Sequence, residues 1–155
     1  MPIEKLLIAN RGEIAVRIAR AAGDLGIVSV ATFSSDDHLS LHTQVADDSV
    51  GLEGSGAAAY LDIDQIVAVA ISNGCDAVHP GYGFLAENAD FARALENEGI
   101  TFVGPLSDQL ALFGDKLSAR NLATQLDVPV VPATAGAANS EEIEEFLAEH
   151  GAIMV

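Results

Sequence analysis

The chain is poor in positive charge: seven lysines and arginines stand against 23 aspartates and glutamates in 155 residues, a formal net charge of −16. Such a surface repels phosphate backbones and anionic membranes, which argues against nucleic-acid binding and against a lipid-bound protein. Cysteine is nearly absent. Cys75 stands alone, so no internal disulfide can form, and its apolar helix-to-strand surroundings mark it as a buried, inert thiol. Long apolar runs are also missing. None approaches the roughly 18 residues of a membrane span, and the N-terminus lacks the charged, apolar and cleavage regions of a secretory signal; the expectation is a cytoplasmic protein. Glycine is scarce where a dinucleotide would need it. After the first strand comes Asn10-Arg11-Gly12-Glu13, one glycine where the pyrophosphate fingerprint needs several, which argues against NAD or FAD. A metal centre lacks its ligand set. His38 and His42 are four apart and would share a helix face, but no carboxylate stands at a recognised spacing, and Ser34 to Asp37 read instead as a polar connection with a helix cap.

Half of the residues are apolar, enough for one ordinary core and a small second unit. Lys5 to Asn10 is an apolar run expected as a buried parallel strand, followed by helix-period positions at Ile14, Ile18, Ala21, Ala22 and Leu25 that end at Gly26. Ile27 to Phe33 supplies a second strand and Ser49 to Leu52 a third, and Gly51, Gly54 and Gly56 predict a loop beyond it. Asp62 opens a helix with Ile63, Ile66, Val67, Ala70 and Ile71 on one face and Asn73-Gly74 as its stop. Asp76 to His79 is again a strand, Phe91, Ala94 and Leu95 mark a helix, and Ile100 to Val103 a last strand. The alternation predicts a parallel sheet with helices on both faces. It breaks after Gly104-Pro105, where Ser107 to Phe113 and Lys116 to Leu126 are consecutive helical stretches. Ser140, with Glu141 and Glu142 favourable to the helix dipole, opens a last helix that Gly151 closes. Ala152 to Val155 reads as the start of a strand, so the chain reads as a piece of a longer one.

The most constrained stretch is His79-Pro80-Gly81-Tyr82-Gly83-Phe84-Leu85-Ala86-Glu87-Asn88. Pro80 fixes its own φ and pushes His79 toward extended geometry, while Gly81 and Gly83 open backbone conformations that a Cβ resists. A glycine-bearing turn between strand and helix is how open α/β sheets build sites at the carboxyl ends of their strands. The alternative is a tight turn with Tyr82 and Phe84 buried.

Ile8 to Ala15, His79 to Asn88 and Phe113-Gly114-Asp115-Lys116 together resemble, in order and spacing, the biotin carboxylase family, the ATP-dependent component of acetyl-CoA, propionyl-CoA, methylcrotonyl-CoA and pyruvate carboxylases. The resemblance implies an α/β fold: a parallel-sheet, Rossmann-like pre-ATP-grasp domain over 1–114, then the incomplete start of an ATP-grasp domain over 115–155. It implies an enzyme that uses ATP, Mg2+ and bicarbonate to form carboxyphosphate and to carboxylate a biotin held on a carrier domain, with a carboxyltransferase component as a further partner. Lys116 aligns with a nucleotide-contacting lysine. Tyr82, Gly83 and Glu87 match a turn on the biotin and bicarbonate side, and Arg17, Arg20 and Asp24 lie on a helix at or near the family's homodimer contact. The family's phosphate loop, magnesium-binding glutamates and biotin-side arginine belong after Val155, so no catalytic residue and no metal ligand is expected within these residues. The competing expectation is a non-catalytic module that dimerises through the first helix or completes a separately encoded ATP-grasp partner.

Self-repulsion among −16 net charges weakens as salt screens it. The melting temperature is therefore expected to rise from low to moderate ionic strength; a flat or falling curve in thermal scans would contradict this.

Overall fold

The computed structural model describes residues 2–134, 136 and 138–151. In chain order the elements are β1 (Lys5–Ile8), α1 (Gly12–Asp24), β2 (Val28–Phe33), α2 (Leu41–Val45), β3 (Asp48–Gly51), α3 (Gly56–Ala59) and α4 (Ile63–Ser72). They continue with β4 (Ala77–His79), α5 (Ala89–Asn97), β5 (Thr101–Phe102), α6 (Ser107–Gly114), α7 (Lys116–Gln125) and α8 (Ser140–His150). The five strands form one parallel sheet in the order β3-β2-β1-β4-β5. The chain separates into two compact units, Met1–Ala111 and Leu112–Val155. The strand foreseen at Ala152 to Val155 lies outside the described residues.

The sheet is buried on both faces because β1 alternates. Leu6 and Ile8 pack with Ala15, Ala19 and Ala22 of α1. Leu7 and Ala9 point the other way, into a larger core with Ile66 and Ala70 of α4 and Phe91, Ala92 and Leu95 of α5. The two-residue period of a strand thus assigns one helix to one face and two to the other. The glycine loop after β3 carries the short helix α3, so α3 and α4 follow each other without a strand between them. At the amino ends of β1 and β2, carboxylates take the place of sheet partners. Asp76 accepts the Glu4 and Lys5 amides at 2.9 and 3.2 Å, and Asp47 accepts both the amide and the hydroxyl of Ser29 at 2.8 Å. Part of the acidic excess therefore has a structural role, even where, as at Asp47, the residue is exposed.

α1 turns a different side to the core than its apolar periodicity suggests. Its buried residues are Ala15, Val16, Ala19 and Ala22, whereas Ile14 and Ile18 are half-buried, Ala21 is exposed and Leu25 is 75 % exposed. Three small alanines let the helix sit close to the sheet, and the larger apolar residues then line an open cleft of about 510 Å3 together with Tyr82 and Val103. Arg17, Arg20 and Asp24 form a third, polar and exposed stripe.

In the second unit, α7 starts at Asp115, which accepts the Ser118 amide at 2.7 Å. α8 starts with a capping box in which Asn139 accepts the Glu141 and Glu142 amides and Glu142 accepts the Asn139 amide. The helix opens at Ser140 and is closed by Gly151 with φ 72°, as expected, and Asn139 before it is the cap. No residue of α7 or α8 is buried. No helix among the described residues is long and apolar enough to cross a membrane.

Phe91 is fully buried and meets Phe102 edge-on at 5.9 Å. Phe91→Ala is expected to destabilise the first unit by about 3–5 kcal/mol, against less than about 0.5 kcal/mol for Leu25→Ala, measured by urea denaturation. Equal losses would show that the outer stripe of α1 is part of the core.

Candidate functional site

Strand β1 is followed in space by β2 on one side and by β4 on the other, so the chain reverses its winding direction between β1 and β4. The crevice beyond the carboxyl ends of those two strands is where open parallel sheets place ligands. Here it is bounded by Asn10 and Arg11 after β1 and by Pro80 to Phe84 after β4. The two strand ends are tied by the Ala9 amide, which donates to the His79 carbonyl at 3.0 Å.

The turn after β4 holds three of four consecutive residues in the left-handed region, with Gly81 at φ 69°, Gly83 at φ 68° and Phe84 at φ 41°. Glycine takes this conformation freely, whereas a phenylalanine there is strained and needs compensation. Phe84 gets it from a stack on Tyr60 with ring centroids 5.2 Å apart. The two glycines differ in kind. A Cβ on Gly81 would lie 2.6 Å from Asn10 Nδ2 and 2.8 Å from Ile14 Cγ2, whereas one on Gly83 would meet nothing within 4 Å. Gly81 is therefore demanded by packing as well as by φ, and Gly83 by φ alone, leaving open space above its backbone.

Asn10 is 2 % exposed and every polar atom of its carboxamide is used. Nδ2 donates to the carbonyls of Pro80 and Tyr82 at 2.8 and 3.0 Å, and Oδ1 accepts the Arg11 amide at 2.9 Å. A second brace starts at Arg11, whose Nη1 donates to Asp37 at 2.9 Å while its guanidinium lies 6.0 Å from the Tyr60 ring centre. The Tyr60 hydroxyl donates to Asp37 at 3.3 Å and accepts the Ser34 amide at 3.1 Å. The Ser40 hydroxyl and then Arg11 lower the Asp37 carboxyl below its ordinary value, and burial raises the Tyr60 hydroxyl. The Gly56 amide and the Ser34 hydroxyl, at 2.8 Å each, lower Asp36.

These bonds correct the reading of Ser34 to Asp37. The segment does not cap the helix that follows it, and its one contact with a helix start is Asp36 accepting the Gly56 amide of α3. α2 begins only at Leu41 after Ser40, and Asp36 and Asp37 are spent tying the loop to α3, Tyr60 and Arg11. His38 lies outside α2 and is exposed, whereas His42 is fully buried with Nε2 3.1 Å from the Thr32 carbonyl. Among the described residues no group of three His, Cys, Asp or Glu side chains converges on a metal-sized site. Cys75 is buried and its thiol is raised by burial.

Of the residues singled out from sequence, the structure brings Tyr82, Gly83 and Glu87 together on one exposed turn. Tyr82 is 68 % exposed rather than buried, which removes the reading of the segment as a turn built around two buried aromatics. Arg17, Arg20 and Asp24 share the polar stripe of α1, and Lys116 is exposed at the first position of α7 in the other unit. Asn10 and the Arg11–Asp37–Tyr60 brace carried no sequence signal of their own. A buried asparagine that ends a strand opposite a glycine turn is legible only once the strands are paired.

An open, doubly wound parallel sheet with a glycine turn raised at its switch point defines an α/β domain of the dinucleotide-fold type, here without the dinucleotide glycines. More particularly, residues 2–110 match the model of the biotin carboxylase N-terminal domain, and the chain belongs to that family. Pyruvate carboxylase of Staphylococcus aureus is 51 % identical over 152 residues, 96 % of this chain and 13 % of that protein. The biotin carboxylase domain of a single-chain bacterial carboxylase superposes with a TM-score of 0.90 at 54 % identity, over 96 % of this chain and 34 % of that one. The biotin carboxylase domain dimer of Hydrogenobacter thermophilus 2-oxoglutarate carboxylase, solved with MgADP, ADP and bicarbonate, gives 0.90 at 39 % identity, over 96 % and 33 %. The chain thus corresponds to the N-terminal portion of a biotin carboxylase domain. It spans about a third of the solved domains and 13 % of the pyruvate carboxylase. These matches favour part of a carboxylase over a free-standing interaction module.

Burial holds the His79 imidazole below its ordinary value of 6.5, and its Nδ1 accepts the Gly81 amide at 3.0 Å, which a protonated ring cannot do. The unfolded chain therefore binds the proton first as pH falls, so this contribution is complete above 6.5 and is lost as pH falls from there through the lower folded value. Asp36, Asp37 and Asp47, all lowered, lose theirs only below their ordinary 3.8. Thermal stability should thus decline in two steps on acidification. In His79→Asn, whose amide oxygen can still accept, the upper step should shrink and the lower one persist; an unchanged upper step would show that His79 does not drive it.

Proposed function

We propose that this chain is the N-terminal part of a cytoplasmic, homodimeric, ATP- and bicarbonate-dependent biotin carboxylase within an acyl-CoA or pyruvate carboxylase. A biotin carboxyl carrier domain and a carboxyltransferase component are its partners. The observation that carries the reading is the exposed, rigidly held turn at the switch point of a chain whose family is that of biotin carboxylases. In this reading residues 1–114 are the pre-ATP-grasp domain and 115–155 the start of the ATP-grasp domain.

The turn fits a small polar ligand such as bicarbonate or a ureido ring. Gly83 leaves its backbone open to close approach, Tyr82 offers a ring with a hydroxyl, and Glu87 stands a turn further along. The chain's part there is to orient the acceptor and to shield one side of it with the Tyr82 ring. Lys116 would hold the nucleotide, its flexible ammonium supplying a point charge to phosphate or to a base edge. ATP with magnesium supplies the phosphoryl group that activates bicarbonate, and biotin supplies the ureido nitrogen that takes the carboxyl. In this reading the magnesium ligands belong to the part of the domain beyond these residues. Arg17, Arg20 and Asp24, mixed in sign on one stripe, suit a two-fold contact in which each arginine can meet the partner's acid.

The test is ATP- and bicarbonate-dependent carboxylation of free biotin by the full-length protein, with Lys116→Ala raising KM for ATP. Residues 1–155 by themselves should bind Mg-ATP weakly. One charge-assisted hydrogen bond is worth about 1.5–3 kcal/mol, against roughly 8 kcal/mol for a micromolar complex. Titration calorimetry giving a Kd at or below about 1 μM would place a nucleotide site within these residues, and a full-length protein without biotin turnover would overturn the proposal.

A further inference from the structure

The carboxamide of Asn10 has no surface to serve and no solvent to meet. It is buried, and its three polar contacts run to Pro80, Tyr82 and its own neighbour Arg11. Two of them cross the switch point, from the end of β1 to the turn after β4. The Pro80 carbonyl belongs to the peptide before Gly81 and the Tyr82 carbonyl to the peptide before Gly83, so one NH2 group holds the peptides at both ends of the Gly81-Tyr82 pair. Gly81 closes the fit from the opposite side, since any Cβ there would come within 2.6 Å of the same Nδ2.

We infer that Asn10 is a positioning residue for the acceptor side of the site: its amide sets the direction of the Pro80–Tyr82 peptides, and so where the Tyr82 ring and the Gly83 backbone stand. The pattern of one acceptor and two donors, on a side chain this short, belongs to asparagine alone. Aspartate has the shape without the donors and would face two carbonyls with a carboxylate. Serine supplies a single donor. Leucine, nearest in size, leaves both carbonyls without that partner. Asn10 itself contacts neither nucleotide nor acceptor; it acts through the turn. Nothing in the sequence motif shows this, because residues 10 and 80 meet only in the folded sheet.

The inference rests on the proposed carboxylase reading, and the experiment separates the two. Steady-state kinetics are measured on the full-length protein with free biotin as acceptor, for wild type, Asn10→Asp and Gly81→Ala, each checked by circular dichroism and thermal melting. Losing two buried hydrogen bonds should raise KM for biotin in Asn10→Asp by about tenfold or more, with KM for ATP within about twofold. Gly81→Ala, which pushes on the same amide and leaves the carboxamide in place, should show the same split. A wild-type protein that carboxylates no biotin overturns the function, not the role of Asn10. An unchanged KM for biotin, or equal rises in both constants, overturns that role. Variants that fail to fold overturn it as well, by showing that the carboxamide holds the sheet together rather than the turn.

Discussion

The turn after β4 has a backbone that its own bonds, from the Gly81 amide to His79 Nδ1 and from the Ala86 amide to the Gly83 carbonyl, hold only in part. Three left-handed residues in four, one of them a phenylalanine, form a segment with little local reason to exist, and the rest of what holds it comes from elsewhere in the chain. The Asn10 carboxamide grips two of its carbonyls, the Tyr60 ring carries Phe84, and Asn88 caps α5 by accepting the Phe91 amide at 2.8 Å. Between these anchors Tyr82, Gly83 and Glu87 are left facing solvent. A rigid frame with a short exposed centre is the arrangement that recognition of a small polar group requires, because the ordering cost is met when the protein folds and not when the ligand arrives.

Much of this was legible in the sequence, for a physical reason. Parallel strands buried on both faces have to be short apolar runs, and helices between them must show a 3.6-residue period, so β1, β2, β4 and the helices α4 and α5 declare themselves. The turn was legible because proline and glycine restrict or free the backbone irrespective of what surrounds them. The family signature added what local chemistry does not encode, namely the role proposed for the turn and for Lys116.

The failures also have physical causes. Of the helix-period positions in α1, Ala22 is at the contact with the sheet, but the rest of that contact is made by Ala15, Val16 and Ala19. A helix lying close to a sheet needs small side chains at the contact, and Ile14, Ile18 and Leu25 are displaced onto the rim of a cleft. Asp36 and Asp37 were read as a helix cap because carboxylates near a serine suit that role. Besides the nearby Ser34 and Ser40 hydroxyls, the bonds that use them come from Gly56, Tyr60 and Arg11, at distances along the chain that no window of sequence spans. The acidic excess likewise looked like a solvated surface, yet within it Asp47 and Asp76 take the place of sheet partners at the starts of β2 and β1.

The bonds from Asn10 to Pro80 and Tyr82 bridge 70 and 72 residues, and that separation bears on the order of events as the chain folds. A hairpin turn nucleates early because its ends are already neighbours, but here the loop must close over nearly half the chain before either bond can form. The strained turn cannot precede its anchors, so it is assembled after β1 and β4 have paired. The turn is therefore expected to reach this geometry late in folding. Its presence certifies that the centre of the sheet is complete.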